Sequence, residues 1–175
     1  MKTLYLLRHA HAEDRGTSLS DFDRPLKEFG LSEAQAVATY IKTKGLSFDF
    51  VMCSAALRTQ QTLEPMRSVV GTTDIEISDN FYNSPEDKIL KNLQKISDGW
   101  NKVLYIGHNP GIAFTAFKLT KTFPEVLVEG VTPGTLIGFQ LPIDHWIDLE
   151  WWEGEVIDVF QPETLPSTPP AQEGS

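Results

Sequence analysis

The chain of 175 residues sets 15 Lys and Arg against 24 Asp and Glu, a net charge of −9, and 41% of it is hydrophobic. One domain with a sizeable core fits that length and content, and a disordered chain does not. The acidic balance argues against nucleic acid and anionic membrane surfaces as partners, since both need a basic face, and the single cysteine, Cys53, excludes an intramolecular disulfide and a four-cysteine zinc site.

Residues 3–7 are apolar with no polar alternation, which predicts a strand buried on both faces, as in a parallel sheet covered by helices. The run meets Arg8 and His9 at once, so it is too short for a signal peptide or a membrane span, and a cytoplasmic protein is expected. Residues 8–31 are polar, contain Gly16, Pro25 and Gly30, and predict a long loop of the kind usually tied to function. Ser32 with Gln35 three residues on forms a capping box that predicts a helix start, with Ala34, Val37, Ala38 and Ile41 as the apolar stripe and Gly45 as the stop.

Residues 50–53 predict a second buried strand, and Ser54 is placed to cap a helix over 56–70 that Gly71 ends. A third strand is predicted over 74–78, a helix over 85–96 and a fourth strand over 102–106. Gly107-His108-Asn109-Pro110-Gly111 then turns the chain into a helix over 111–121. Residues 135–141 and 145–152 predict a hairpin of late strands, and the tryptophans Trp146, Trp151 and Trp152 sheet packing. Pro162, Pro166, Pro169 and Pro170 among small polar residues predict a loose tail over 161–175, after a single domain over 1–160. Strands alternating with helices make the fold class α/β with a mostly parallel sheet; the order of strands does not follow from the pattern.

Ligands of open α/β sheets bind outside the carboxyl ends of the strands. The first predicted strand ends in Arg8-His9, the second leads through Ser54 to Arg58 in the first turn of a helix, and the fourth ends in His108. Two arginines and two histidines thus meet at one sheet edge of an acidic protein. Like charges about 4 Å apart repel by roughly 4 kcal/mol at an effective dielectric of about 20, so such a cluster needs a bound anion. Arginine forks match phosphate oxygens, and a helix amino end beside His108 adds N–H donors, so these residues read as a phosphate pocket built from side chains.

Arg8-His9-Ala10, Asp23-Arg24-Pro25-Leu26, the run from Ser54-Ala55-Ala56-Leu57-Arg58 to Thr62, and Gly107-His108-Asn109-Pro110-Gly111 together resemble the histidine phosphatase superfamily, and in order and spacing its SixA-like phosphohistidine phosphatase branch. The resemblance spans residues 3–160. It implies a phosphoglycerate mutase-like three-layer sandwich, with a mostly parallel central sheet flanked by helices. It also implies a phosphatase without cofactor or metal, in which His9 is the nucleophile and forms a phosphohistidine, and Arg8, Arg58 and His108 hold the phosphoryl oxygens. The substrate it implies is a phosphorylated protein, such as a histidine-containing phosphotransfer domain, or a small phosphorylated molecule. A neutral imidazole is available at cellular pH for that role, provided an acceptor fixes its other nitrogen.

Two departures from the family pattern are visible. Ala10 stands where glycine is commonest, which requires a backbone that avoids positive φ or tolerates it at modest cost. The stretch Asn80 to Pro85 has no carboxylate where other branches carry a glutamate general acid. A phosphoramidate nitrogen can leave already protonated, whereas an alkoxide needs a proton, so the missing acid favours phosphohistidine; Asp21, Asp23 and Glu86 remain as alternative proton sources. Phosphatase action on small esters or anhydrides, and a module that binds phosphate without cleaving it, are the alternatives. Other readings of single residues are plainer: His9 and His11 as a metal pair, Arg24 as a surface ion pair with Asp21 or Asp23, and Cys53 as a buried small hydrophobe.

Overall fold

The computed structural model describes residues 1–16 and 19–163. Six strands, β1 (Lys2–Arg8), β2 (Phe50–Ser54), β3 (Ile75–Ser78), β4 (Lys102–Gly107), β5 (Leu136–Leu141) and β6 (Glu155–Phe160), form one sheet in the order β3-β2-β4-β1-β5-β6. The first four are parallel, and β5 and β6 add an antiparallel edge. Alternate side chains of the central strands face opposite layers. Leu4 and Leu6 of β1 pack in one core with α3 (Glu86–Leu93) and α4 (Gly111–Leu119). Tyr5 and Leu7 pack in another with α1 (Glu28–Lys44) and α2 (Leu57–Leu63). This is the three-layer α/β sandwich expected, and the continuous apolar runs of β1, β2 and β4 are the result of helices covering both faces. No helix among the described residues is long and apolar enough to cross a membrane.

The chain runs from β1 to β2 past the place that β4 later fills. The carboxyl ends of β1, β2 and β4 therefore lie side by side, although up to about a hundred residues of chain separate them. Ligand crevices of open α/β sheets form at such a point.

Four local expectations are corrected. Helix α1 begins at Glu28, not at Ser32, with Lys27 as its cap and no side-chain capping bond. Gly30 lies in its first turn because a Cβ there would stand 2.1 Å from the His11 carbonyl oxygen. Helix α2 is shorter than 56–70: it ends at Leu63 and tightens into a 3₁₀ turn over Glu64–Met66, where Pro65 lacks the N–H that would continue the α-helix. Ser54 does not cap it; the cap position belongs to Ala56, and the Ser54 hydroxyl has another use described below. Residues 145–152 are not a strand. Trp146 starts a 3₁₀ turn (Trp146–Asp148) and is fully buried, its indole N–H donating to the Trp100 carbonyl at 2.7 Å. The partner of β5 is β6, whose Val156, Ile157, Val159 and Phe160 are good strand formers that the Trp-rich stretch upstream obscures.

Of the tail, Pro162 is buried and packs over Gly134, while Pro166, Pro169 and Pro170 lie outside the described residues. Cys53 is buried in β2 with its thiol pushed up to about 12 by burial, as a small hydrophobe of the core.

Candidate active site

Arg8, the last residue of β1, pairs in register with Gly107 of β4, so His9 and His108 leave neighbouring strands in step. The His9 amide donates to the Gly107 carbonyl at 3.0 Å, and the two imidazole centroids are 5.2 Å apart. Arg58, second residue of α2, is buried and reaches the same point from β2, its Nε 3.3 Å from His9 Nε2. Together with His11, Arg15, Arg24, Asn83 and Asn109 these residues line a cleft of about 250 Å³. Arg8, His9, Arg58 and His108, proposed from three separate stretches of sequence, are thus brought together.

The His9 ring is held at Nδ1, 2.6 Å from the carbonyl oxygen of Ala10. A proton on Nδ1 donates there and leaves the lone pair on Nε2, where it accepts from Arg58 Nε at 3.3 Å. This backbone carbonyl is the tautomer-fixing acceptor that the sequence does not reveal. Ala10 is fully buried against Leu26 and Ala34 and is not at positive φ, so the common glycine is not needed. Its amide donates to Thr62 Oγ1 at 3.1 Å, and the Thr62 hydroxyl donates to the Arg58 carbonyl at 2.7 Å, tying the His9 turn to α2.

Burial, with the charges of Arg58, Arg8 and Arg24, lowers the His9 pKa to about 3. Burial, with His9 and Arg58 beside it, lowers that of His108 to about 2. Both rings are neutral at neutral pH. His108 Nε2 lies 2.8 Å from the Ser54 hydroxyl, which itself accepts from the Ala56 amide at 3.3 Å. His108 Nδ1 and Arg8 Nε are buried with no protein partner. Arg8 is otherwise steadied by donation from Nη1 to the Val131 carbonyl at 2.8 Å, and burial lowers its pKa.

The loop between β1 and α1 returns to the site through Asp21. Its Oδ1 accepts from Arg24 Nε at 3.1 Å and Nη2 at 2.8 Å, and its Oδ2 from Arg58 Nη2 at 3.2 Å and from the Tyr82 hydroxyl. Arg58 Nη1 donates to the Asp21 carbonyl at 2.6 Å. Burial raises the Asp21 carboxyl, but the hydrogen bonds from Tyr82 and Arg24 and the charges of Arg58 and Arg24 outweigh it and hold the group well below the usual carboxylate range. Arg24 is therefore both an ion-pair partner of Asp21 and a wall of the cleft.

None of the three carboxylates considered as proton sources is placed for that work. Asp21 is held ionised. Asp23 accepts from the Ser20 hydroxyl at 2.6 Å on an exposed turn. Glu86 pairs with Lys118 at 2.8 Å, which lowers its pKa, and does not line the cleft. A Cβ on Gly111, the first residue of α4, would stand 2.0 Å from the Ser84 carbonyl oxygen, and next to His108 the cleft is lined by Asn109. His11 directs Nδ1 to Glu33, and no group of three or more His, Cys, Asp and Glu placed for a metal exists among the described residues.

Sequence reasoning missed Ser54 as the support of His108, Tyr82, Asn83, Arg15 and Glu33. Only Ser54 carries a local signal, its place directly at a strand end.

Residues 4–83 match the model of the histidine phosphatase superfamily, branch 1. Among solved structures, the fold is similar to that of a SixA protein from Nakamurella multipartitia, itself proposed to be a phosphohistidine phosphatase. The TM-score is 0.81 and the identity 27%, over 93% of this chain and 97% of that one. An uncharacterised chloroplastic protein of Arabidopsis thaliana is 30% identical over 63% of this chain and 55% of its own length. A 2,3-bisphosphoglycerate-dependent phosphoglycerate mutase of Mesorhizobium japonicum is 34% identical over 54% of this chain and 47% of its own. The chain thus spans about half the length of these two relatives. The sandwich, the paired strand-end histidines and the match over residues 4–83 agree in making the chain similar to the histidine phosphatase superfamily.

Proposed function

We propose that the protein is a phosphatase that works through a phosphohistidine on His9 and that it removes phosphate from the phosphohistidine of a protein. The observation that carries the reading is the fixed direction of the His9 ring. With Nδ1 on the Ala10 carbonyl, Nε2 is the nitrogen that carries the lone pair for attack; it accepts from Arg58 Nε, a donor that an incoming phosphoryl oxygen takes over. Arg8, Arg58 and His108 surround the phosphoryl oxygens. Arg8 Nε and His108 Nδ1 are buried and unpartnered, a state that costs about 1–3 kcal/mol for a polar group, and oxygens of a bound phosphoryl group relieve it.

In the first step His9 Nε2 attacks phosphorus and the bond to the leaving atom breaks, its electron pair going with that atom. Preplaced cations and N–H donors stabilise the charge spread over the phosphoryl oxygens. In the second, a water oxygen attacks the phosphorus of phospho-His9, the P–N bond breaks, its electron pair stays on Nε2, and phosphate leaves. Two displacements of lower barrier replace one.

Phosphohistidine is favoured as substrate because no carboxylic acid lines the cleft and a phosphohistidine protonated on its other ring nitrogen releases a neutral imidazole without one. Between β2 and β3 the chain builds only α2 and the 3₁₀ turn, with no inserted cap over the cleft, which suits entry of a folded protein such as a histidine-containing phosphotransfer domain. The likeness to a SixA structure supports the same substrate class. The match to a phosphoglycerate mutase favours a second reading, hydrolysis of small phosphate esters or anhydrides.

Incubation with a phosphorylated histidine-containing phosphotransfer domain beside a panel of small phosphates separates the two. The phosphoprotein is expected to lose phosphate faster than any ester, and His9→Ala to abolish the loss. Rapid ester turnover with the phosphoprotein untouched contradicts the substrate, and undiminished hydrolysis by His9→Ala contradicts the mechanism.

A further inference from the structure

Hydrolysis of a phospho-His9 needs a group that takes a proton from the attacking water, and the cleft offers few. Its four arginines are permanent cations. His9 carries the phosphoryl group, and His108 is occupied between Ser54 and the phosphoryl oxygens. Asp21, Asp23 and Glu86 are engaged elsewhere as described. One group in the lining is left, His11.

His11 stands two residues beyond His9, and its side chain is 34% exposed at the cleft wall. Its Nδ1 is 2.7 Å from Glu33 Oε1, and its backbone amide donates to Glu33 Oε2 at 2.9 Å. The Glu33 side chain is only 6% exposed, so both carboxylate oxygens are spent on one residue in a buried place. The Phe29 ring, 4.8 Å away centroid to centroid, fixes the imidazole plane. With the Nδ1 proton donated to Glu33, Nε2 carries the lone pair and takes no hydrogen bond among the described residues. A buried carboxylate and an imidazole held by it, with its other nitrogen unpartnered on the wall of the cleft, are the parts from which acyl-transfer enzymes make a general base. A merely structural histidine needs neither both carboxylate oxygens nor a place on the cleft wall.

We propose that His11, oriented by Glu33, is the general base for the second step, taking a proton from the water that attacks phospho-His9. As the water oxygen bonds to phosphorus, one of its protons passes to His11 Nε2. The P–N bond breaks with its electron pair left on His9 Nε2, phosphate departs, and His11 returns the proton to solvent. The inference rests on phosphorylation of His9. It assigns His11 no part in the first step, where a phosphoramidate leaving group needs no acid.

Rapid-quench measurement with a ³²P-labelled phosphoramidate separates charging of the enzyme from its discharge. Wild type is expected to charge and discharge. His11→Gln is expected to charge within about threefold of wild type and to discharge about a hundredfold more slowly, so that labelled enzyme accumulates. Glu33→Gln is expected to slow the same step by a smaller factor, and it serves as the second variant if His11→Gln does not fold. Free imidazole is expected to restore part of the discharge in His11→Ala. Discharge at the wild-type rate in both variants, or equal slowing of charging and discharge with no rescue by imidazole, overturns the role of His11 and leaves His9 untouched. Wild type that never becomes labelled overturns the reading of His9, and the role of His11 falls with it.

Discussion

Asp21 gathers the cationic side of the cleft onto one carboxylate. Arg24, Arg58 and Tyr82 all donate to it, and the Arg58 Cζ lies 5.9 Å from the Tyr82 ring centroid. Hydrogen bonds between charged groups contribute about 1.5–3 kcal/mol each, so loss of the Asp21 charge frees Arg58 to sample other rotamers. Asp21→Asn is expected to lower kcat/KM about tenfold or more with the fold intact, read from steady-state kinetics beside circular dichroism; an unchanged kcat/KM contradicts the positioning role. The legibility of the site divides at this point. Arg8, His9, Arg58 and His108 are readable because each lies at or just past a strand end, a local pattern. Asp21 meets Arg58 across 37 residues and Tyr82 across 61, Glu33 meets His11 across 22, and Ser54 meets His108 across 54. No local spacing encodes such meetings; they exist once the sheet order is set.

At the scale of elements, the strands were legible where apolar runs are continuous and bounded, as in β1, β2 and β4, and the helix boundaries were not. Gly30 argues locally against a helix, at about 1 kcal/mol relative to alanine, yet the first turn of α1 lies so close to the His11 carbonyl that nothing larger fits. Tertiary contact, not propensity, decides that position. Gly30→Ala is expected to destabilise by about 1–3 kcal/mol and to displace the backbone at His11, read as a lower urea midpoint together with slower turnover. An unchanged midpoint contradicts the close approach. Trp146 is the corresponding case for a large side chain: read as part of a strand, it instead fills the core beneath Trp100 from a 3₁₀ turn. Trp146→Ala is expected to cost about 3–5 kcal/mol in denaturant unfolding, and a loss under 1 kcal/mol contradicts that placement.

Across the whole molecule, a net charge of −9 surrounds a cleft lined by four arginines and three histidines. The strand order that places β4 between β1 and β2 concentrates them, and that order was not legible because no residue pattern states which strands are neighbours. The burial that makes His9 and His108 neutral also links stability to pH. Their folded pKa values, about 3 and about 2, lie below the ordinary 6.5, so the unfolded chain binds protons at these positions first. Their contribution is complete above about pH 6.5 and is lost as pH falls from there toward the folded values. Each ring is expected to remove about 1.4 kcal/mol per pH unit within that window. Urea unfolding at pH 7, 6, 5 and 4 reads the slope, and His9→Gln is expected to make it shallower. Stability that stays flat between pH 6.5 and 4 contradicts neutral burial of both rings.

The central claim is that one strand-end imidazole becomes covalently phosphorylated, and the direct measurement is to trap that species. Brief incubation with a ³²P-labelled phosphoramidate, alkaline quenching and peptide mapping are expected to find one labelled site, at His9 through Nε2, stable to base and labile to acid. Label absent from the wild-type protein, or present undiminished in His9→Ala, would show that the cleft does not work through His9.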